Sequence, residues 1–323
     1  MASSPEGPHS RPQLAGLVVN WHGDEDVLKL LEGWPEDIRF ELIVIDNSSS
    51  LGGTISGARV IDPGKNLGFG GAVNAGLRST DASVILILNS DARPIGTALE
   101  RLIEGFDQKP EVAGLAPKLL SADGTPQHRW QLRPLPSTST LLLQSLMIPA
   151  GEGPGVEPTS GTVVEQPAAA ALALRRSALQ EIGGFDEAFF PAWFEDVDLA
   201  RRMADANQET RYWPEAAFEH LLGSSVTRLG YERFLWIYYR NLGRYLSKHH
   251  SNWLAILART LTALAATIRI PLLTLRRPSR AASRREALDG LTSLLLGALS
   301  GWRLPYSLSR DPLCGSRTVE GGG

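Results

Sequence analysis

The segment SVILILNSD (83–91) decides the fold class. Its uninterrupted run of β-branched and leucine residues predicts a central parallel strand that is buried on both faces. Two shorter apolar segments precede it, LAGLVVN (14–20) and ELIVID (41–46), and helical spacing of apolar residues follows the first at 24–34. A helix is also expected within GFGGAVNAGLRST (68–80). This alternation predicts an α/β fold with a mostly parallel sheet.

Downstream of residue 120 the alternation of strands and helices becomes less regular. A long loop around a short helix is predicted for 134–162, a strand for 169–175 and an amphipathic helix for 194–208. Two short strands are predicted at 210–213 and 217–220. From about residue 230 the apolar spacing predicts helices.

Length and composition limit the class of protein. A chain of 323 residues corresponds to about two domains. Its one cysteine, Cys314, excludes a disulfide framework and a cysteine-type zinc site, so a reducing compartment is expected. Residues 1–12 are rich in Ser, Pro and Gly and are predicted to be disordered, with no apolar leader. No window of about 18 apolar residues is free of charge, so no ordinary membrane-spanning helix is expected.

The charge is distributed unevenly along the chain. Residues 226–310 contain 14 Lys and Arg against 3 Asp and Glu, whereas the whole chain has a formal charge of −3. An acidic body followed by a basic segment predicts two modules with different neighbours. Because the basic residues lie on apolar helices and not on a sheet interleaved with aromatic side chains, nucleic-acid binding is not predicted.

Polar side chains stand where three predicted strands end: Asn20, Asp46 and the Asn89–Asp91 segment. In open α/β sheets, ligands bind just outside the carboxyl ends of the strands. An aspartate there can bond a ribose or a base edge, and a second one can hold a divalent ion. Any one of these polar sites, taken alone, is also typical of an ordinary turn after a strand.

The glycine-rich segment KNLGFGGAVNAG (65–76) does not match the dinucleotide-binding fingerprint, because its third glycine position is Val73. Glycine also permits close approach of the backbone to a ligand, with Lys65 and Asn66 at the pocket edge. A glycine-rich helix start explains Gly68 equally well.

The segment GGFDEAFFPAWFEDVDLARR (183–202) carries three carboxylates at a predicted helix N-terminus: Glu195, Asp196 and Asp198. The helix dipole favours anions there, so a surface cap is one explanation. The flanking aromatic residues, which include Trp193, instead indicate an acid in a cleft wall, where a general base with a shifted pKa would operate and a sugar ring would stack. A single histidine, His220, gains a functional role only if the fold brings it to Asp91.

Together these segments resemble glycosyltransferase family 2, an inverting family with the GT-A fold, and within it the bacterial rhamnosyltransferase-like branch that builds cell-surface glycans. The resemblance covers about residues 14–225 and rests on segments in the order of the family: VVNWH, ELIVIDNSSS, KNLGFGGAVNAGL, LILNSDARP, LALRRSALQEIGGFDEAFFPAWFEDVDLARR and EHLLGSS.

The resemblance implies a role for each matching residue. A nucleotide-sugar donor would contact Asn20, Asp46, Asn66 and Gly68, together with Asn89 and Asp91 of the DXD-type motif; the metal ion, Mg²⁺ or Mn²⁺, would be held by Asp91 and His220. Asp196 matches the catalytic base, Glu195 is the next candidate, and Trp193 is expected to contact the acceptor. One departure from the family pattern is that the motif here reads NSD, so that Asp91 is its only carboxylate.

The implied organisation is a GT-A domain over 13–225, a basic helical module over 226–305 and a tail over 306–323.

The implied reaction is transfer of a sugar, rhamnose from dTDP-rhamnose, to a cell-surface glycan acceptor that is linked to a polyprenyl diphosphate. The leucine-rich helices with spaced arginines predict a peripheral position on an anionic membrane surface, at the cytoplasmic face. Packing on the GT-A domain or formation of a homo-oligomer would also cover them.

Two other functional classes remain open at this stage. A nucleotidyltransferase shares the α/β plan, but VVNWHGDED (18–26) is acidic and lacks the glycine-rich, basic loop that a triphosphate requires. The other is a non-catalytic nucleotide-sugar-binding component of a glycan assembly complex.

Overall fold

The computed structural model describes residues 11–221, 229–275 and 277–303. Most of the predicted disordered N-terminus, the 306–323 tail and Cys314 lie outside the described residues.

Eight strands form one twisted sheet in the order β3-β2-β1-β4-β9-β6-β10-β5, and β7 and β8 form a separate antiparallel pair. The four pairs β3/β2, β2/β1, β1/β4 and β6/β10 are parallel, whereas β9 runs antiparallel to both of its neighbours and β5 runs antiparallel to β10. The strands are β1 (Leu14–Asn20), β2 (Phe40–Asp46), β3 (Arg59–Ile61), β4 (Val84–Asn89), β5 (Ala92–Pro94), β6 (Gly114–Leu120), β7 (Leu132–Arg133), β8 (Gln166–Pro167), β9 (Ala171–Arg175) and β10 (Thr210–His220). The predicted α/β fold with a mostly parallel sheet is confirmed.

The helices of the described residues flank the sheet or follow it. They are α1 (Asp24–Glu32), α2 (Gly68–Arg78), α3 (Ala98–Gln108), α4 (His128–Gln131), α5 (Thr138–Ser145), α6 (Arg176–Glu181), α7 (Glu195–Asp205), α8 (Tyr231–His249), α9 (Asn252–Leu272) and α10 (Arg284–Ser300).

Side chains that alternate along the central strands build two cores, one on each face of the sheet. Val44 and Leu86 pack with α1 and α3 on one face, and Ile43 and Ile85 pack with α2, α6 and α7 on the other. Because both faces are covered, these strands carry continuous apolar runs and not alternating polar residues. This explains why SVILILNSD lies at the centre of the domain.

Strand register places the predicted strand-end residues side by side. Asn20 is paired with Asp46 across β1 and β2, and Asn89 is paired with Val19 across β4 and β1. The carboxyl ends of three parallel strands therefore meet at one edge of the sheet.

The prediction of two short strands at 210–213 and 217–220 is wrong, because β10 runs through both. Its pairing with β6 shifts register between Trp213 and Ala217, where Pro214 lacks the N–H that a regular ladder needs. The bulge absorbs this residue, and the strand continues to His220.

The three C-terminal helices pack on one another and onto α5 and α7. Within the described residues, α9 is the one helix long and apolar enough to cross a membrane by length and composition, and 22% of its apolar window is buried. The sequence expectation of no such helix used the stricter requirement of a charge-free window, which Arg259 and Arg269 interrupt.

Candidate active site

A cleft of about 1540 Å³ opens between the carboxyl edge of the sheet and the C-terminal helices. It brings together six of the residues that the sequence predicted for the site: Asn89, Asp91, Trp193, Glu195, Asp196 and His220. These residues come from β4 and the turn after it, from the start of α7 and from the end of β10. The site therefore assembles from segments that are more than 100 residues apart.

His220 does meet Asp91 in the fold. His220 Nε2 lies 3.5 Å from Asp91 Oδ1 and 3.4 Å from Asn89 Nδ2, and both His220 and Asp91 are buried. The ring of Trp130 stacks on the imidazole with centroids 5.4 Å apart.

Gln127 determines which nitrogen of His220 faces the cleft. Its amide Nε2 donates to the His220 carbonyl at 2.8 Å, so its Oε1, 2.9 Å from His220 Nδ1, accepts the proton on that nitrogen. The lone pair of Nε2 then faces the Asp91 carboxylate. A histidine held in this way by a second hydrogen bond is typical of metal ligands.

The residues at this point fit a divalent cation, because one carboxylate oxygen and one imidazole nitrogen lie 3.5 Å apart at the cleft wall. Imidazole and carboxylate are both acceptable ligands for Mn²⁺. Among the described residues no group of three or more His, Cys, Asp or Glu side chains is positioned to bind an ion. The remaining ligands would therefore come from the substrate and water.

The carboxylate pair begins α7 after a strained turn. Trp193 and Phe194 have φ of 68° and 71°, in the left-handed region that non-glycine residues rarely adopt. The buried side chain of Asn241 holds this turn, since its Nδ2 donates to the carbonyls of Ala192 and Trp193 at 2.9 and 3.1 Å. Helix α8 thus determines where Glu195 and Asp196 point.

Glu195 and Asp196 have different surroundings although they are neighbours. Burial, followed by the charge of Asp196, raises the pKa of Glu195 far above its ordinary value, and Glu195 Oε2 has no hydrogen-bond partner among the described residues. Burial also raises the pKa of Asp196, but the positive charge of Arg133 and hydrogen bonds from backbone N–H groups oppose that rise. Asp196 Oδ2 lies 3.7 Å from Arg133 Nη2 and 3.3 Å from Gln166 Nε2.

The third carboxylate of the cluster, Asp198, does not belong to the site. It is fully buried and binds Arg202 at 2.8 Å, Lys248 at 2.6 Å and His249 at 2.7 Å. Because Lys248 and His249 end α8, this network joins α7 to α8. Asp198 is therefore structural.

Asn20 and Asp46 form a hydrogen-bonded network beside the cleft. Asn20 Nδ2 donates to Asp46 Oδ1 at 3.0 Å, and Asp46 Oδ2 accepts from the backbone of Leu51 at 2.8 Å. Both side chains are buried and neither lines the large cleft. They shape the loops after β1 and β2, and their contact with a donor stays a prediction.

Gly68 is required by protein packing at the start of α2. Its φ is +72°, and a Cβ there would meet Phe190 at 2.9 Å and the Pro191 carbonyl at 3.0 Å. The close approach that we expected to a ligand is therefore made to the loop before α7. Asn66 Oδ1 accepts from the Gly68 N–H at 2.7 Å and shapes this turn. Roles for both residues in donor binding stay predictions.

Sequence reasoning missed Gln127, Arg133, Gln166 and Asn241. The first three lie in or beside the region expected to be a loop, and Asn241 lies in a helix whose aromatic stripe was the visible signal. No motif marks them, because each acts only through a partner that is distant in sequence.

The sequence of this chain is similar to those of known glycosyltransferases. The model of the family described as Glycosyl transferase family 2 matches residues 25–150. The N-acetylglucosaminyl-diphospho-decaprenol L-rhamnosyltransferase of Mycobacterium tuberculosis is 27% identical over 215 residues, covering 60% of this chain and 68% of that protein. The pre-mycofactocin glycosyltransferase of the same species is 31% identical over 227 residues, covering 67% of this chain and 44% of that protein.

Among solved structures, GalNAc-T7 with UDP, GalNAc and Mn²⁺ has a TM-score of 0.53 at 10% identity, covering 96% of this chain and 60% of that chain. This likeness concerns the fold, and it confirms the GT-A architecture predicted from the sequence. The resemblance to the rhamnosyltransferase-like branch is likewise confirmed by the mycobacterial relatives. The family match over residues 25–150, the GT-A sheet and the converging cleft residues agree with the resemblance of this sequence to glycosyltransferase family 2.

Proposed function

We propose that this protein is an inverting glycosyltransferase whose catalytic base is Asp196. One observation carries the proposal: the Asp196 carboxylate, 3.7 Å from the Arg133 guanidinium, lines the same cleft as the Asp91–His220 pair. A base and a site for a diphosphate leaving group are the two parts that a single displacement at a sugar carbon requires.

The choice of Asp196 over Glu195 follows from their surroundings. Burial and the neighbouring charge of Asp196 raise the pKa of Glu195 well above its ordinary value, and its Oε2 has no hydrogen-bond partner among the described residues. Asp196 has a cation and an amide donor at one oxygen and the Val197 N–H, 2.8 Å away, at the other. Its side chain is 19% exposed and lines the cleft, so an acceptor can reach it.

In the proposed reaction the acceptor hydroxyl gives its proton to Asp196 while its oxygen forms a bond to C1 of the donor sugar. The bond from C1 to the diphosphate oxygen breaks, and the nucleoside diphosphate leaves with the electron pair from the opposite face. A divalent cation, held by Asp91 and His220, would neutralise charge on this leaving group. Trp193, which lines the cleft, would contact the acceptor.

The donor and acceptor are proposed from the relatives. The first mycobacterial relative is named for transfer of L-rhamnose to N-acetylglucosaminyl-diphospho-decaprenol. We infer dTDP-rhamnose as the donor and a glycan on a polyprenyl diphosphate as the acceptor.

Slow hydrolysis of the donor tests this function. We expect the protein with Mn²⁺ to release nucleoside diphosphate from dTDP-rhamnose at least tenfold faster than from UDP-N-acetylglucosamine, UDP-galactose or GDP-mannose. Preference for another donor would contradict the sugar assignment. Binding without release from any donor, with or without an acceptor, would indicate the non-catalytic component. Pyrophosphate release from a nucleoside triphosphate and a sugar phosphate would indicate a nucleotidyltransferase.

Arg133→Gln tests how the charge of Arg133 affects the pKa of Asp196. The charge of Arg133 lowers the pKa of Asp196, so its removal raises that pKa, and the base is active only when it is deprotonated. The acidic limb of kcat/KM should therefore move to higher pH, with activity recovering as the pH rises. Arg129→Gln is the matched control, because Arg129 lines the cleft but pairs with Glu152. If the acidic limb of the pH profile does not move, Arg133 does not affect the pKa of the base.

We also propose that the C-terminal helices lie on an anionic membrane surface. A stripe of α9 exposes apolar side chains that repeat about once per turn: Trp253, Ile256, Leu264, Ile268 and Leu272. The opposite face of α9, with Ala258, Ala265 and Ala266, packs on the protein. An apolar stripe on a basic segment suits the interface between lipid headgroups and acyl chains.

Vesicle binding tests this position. We expect co-sedimentation with phosphatidylglycerol vesicles that weakens as salt rises, because surface charge attraction is screened. The triple variant Ile256→Ser/Leu264→Ser/Ile268→Ser should lower binding at least about tenfold, since each side chain removes apolar burial. Ile38→Ser/Val156→Ser, exposed apolar residues elsewhere, is the control. Wild-type protein that stays in the supernatant at low salt and sediments as a dimer would assign the stripe to an interface between copies.

A further inference from the structure

Three arginines line the cleft where it reaches the C-terminal helices: Arg269, Arg277 and Arg280. Arg269 comes from the last turns of α9, and the other two come from the connection to α10. Neither the donor site nor the base accounts for them.

The contacts that hold the three arginines are hydrogen bonds to carbonyls and a ring contact. Arg269 donates to the carbonyl of Met147 at 3.1 Å, Arg277 donates to the carbonyl of Ala282, and Arg280 lies over the ring of Phe234 at 5.0 Å. None of the three lies within 4 Å of a carboxylate in the described ranges. Each guanidinium has five N–H donors, so most remain available to an anion.

An aromatic wall connects the arginines to the catalytic carboxylates. The ring centroid of Phe234, whose face Arg280 covers, lies 5.1 Å from that of Trp193 and 5.6 Å from that of Tyr238. The ring centroid of Tyr238 in turn lies 5.2 Å from that of Phe194, which precedes Glu195. Burial raises the pKa of Tyr238, while the charges of Arg133 and Arg280 oppose that rise and the charge of Asp196 adds to it. The charges of both Asp196 and Arg280 therefore act on Tyr238, which lies in the wall between them.

The chemistry of the cluster selects an anion with several oxygens. Guanidinium groups bind phosphate through paired, charge-assisted hydrogen bonds, and they do so most strongly where several converge. Beyond the arginines the cleft wall continues into Leu272 and Leu273, and Leu272 belongs to the exposed apolar stripe. A ligand that spans this region therefore has a sugar near Asp196, phosphates at the arginines and an apolar chain along the end of α9.

We propose that Arg269, Arg277 and Arg280 form the binding site for the diphosphate of a prenyl-linked acceptor, with the prenyl chain leaving along the apolar end of α9. The inference rests on the proposed function, because it names the part of the acceptor that this end of the active site recognises. The donor's diphosphate is assigned to the other end of the cleft, at Asp91 and His220.

Binding of farnesyl diphosphate to the full-length protein, measured by calorimetry below its micelle-forming concentration, tests the site. Wild type should bind it at least tenfold more tightly than farnesol. Arg277→Gln/Arg280→Gln should weaken binding of farnesyl diphosphate at least tenfold and leave that of dTDP with Mn²⁺ within twofold. The matched control is Arg284→Gln/Arg285→Gln, which removes the same charge from exposed positions outside the cleft lining and should stay within twofold for both.

Three outcomes would overturn the proposal, and a fourth would separate it from the proposed function. A loss of dTDP affinity in the cleft variant would assign the arginines to the donor, and equal losses in both variants would show a general charge effect. A protein that hydrolyses its donor but does not bind farnesyl diphosphate keeps the proposed function and refutes this site. One that binds farnesyl diphosphate through the arginines but turns over no donor refutes glycosyl transfer and keeps the site.

Discussion

Asp196→Asn should lower turnover at least about 100-fold while the Kd for dTDP with Mn²⁺ stays within about twofold. The amide keeps the shape and the hydrogen bond to Gln166 but cannot accept the acceptor proton. The effect should appear in kcat and not in the donor KM, because the proton moves only in the transition state. Steady-state transfer assays together with calorimetric titration of dTDP measure the two quantities.

Two further variants make this test specific to the base. Burial and the charge of Asp196 raise the pKa of Glu195, which disfavours its charged form, so the turnover of Glu195→Gln should stay within about tenfold of wild type. Asp205→Asn, at the other end of α7, removes a surface pair with Arg201 and should have little effect. A greater loss in Glu195→Gln than in Asp196→Asn would transfer the role of base to Glu195.

Asp91→Ala should weaken dTDP binding at least about tenfold in the presence of Mn²⁺, with little change in its absence. The carboxylate is the only charged oxygen ligand that the NSD motif offers, so the variant loses the connection between protein and diphosphate. Chelation with EDTA should reduce the activity of wild type by a similar factor and have little further effect on the variant.

The matched control for this experiment is Asp81→Asn. Asp81 is an exposed aspartate that pairs with Arg176 and does not line the cleft. Full wild-type activity in EDTA would remove the metal role from both Asp91 and His220. Weaker dTDP binding to Asp91→Ala in the absence of any metal would indicate that Asp91 contacts the nucleotide directly.

Most of the sheet could be predicted from the sequence because strand positions follow from local pattern. A long apolar run bounded by turn residues has few alternatives, and the carboxyl ends of parallel strands meet at one edge whatever the loops do. The placement of Asn20, Asp46 and Asn89 together followed from this rule. The antiparallel insertion of β9 between β4 and β6 did not, because its pairing partners lie more than 50 residues away.

The sequence alone determined the fold class, and the order of its motifs carried the family resemblance that selected Asp91, Glu195, Asp196 and His220 as site candidates. The tertiary structure decided the surroundings of Glu195 and Asp196. Arg133 and Gln166 come from the two-stranded β7/β8 sheet to one oxygen of Asp196, whereas Glu195 receives no partner there. The ionisation of a buried carboxyl depends on the cations and donors that folding brings within a few ångströms, and a one-dimensional pattern does not contain those distances.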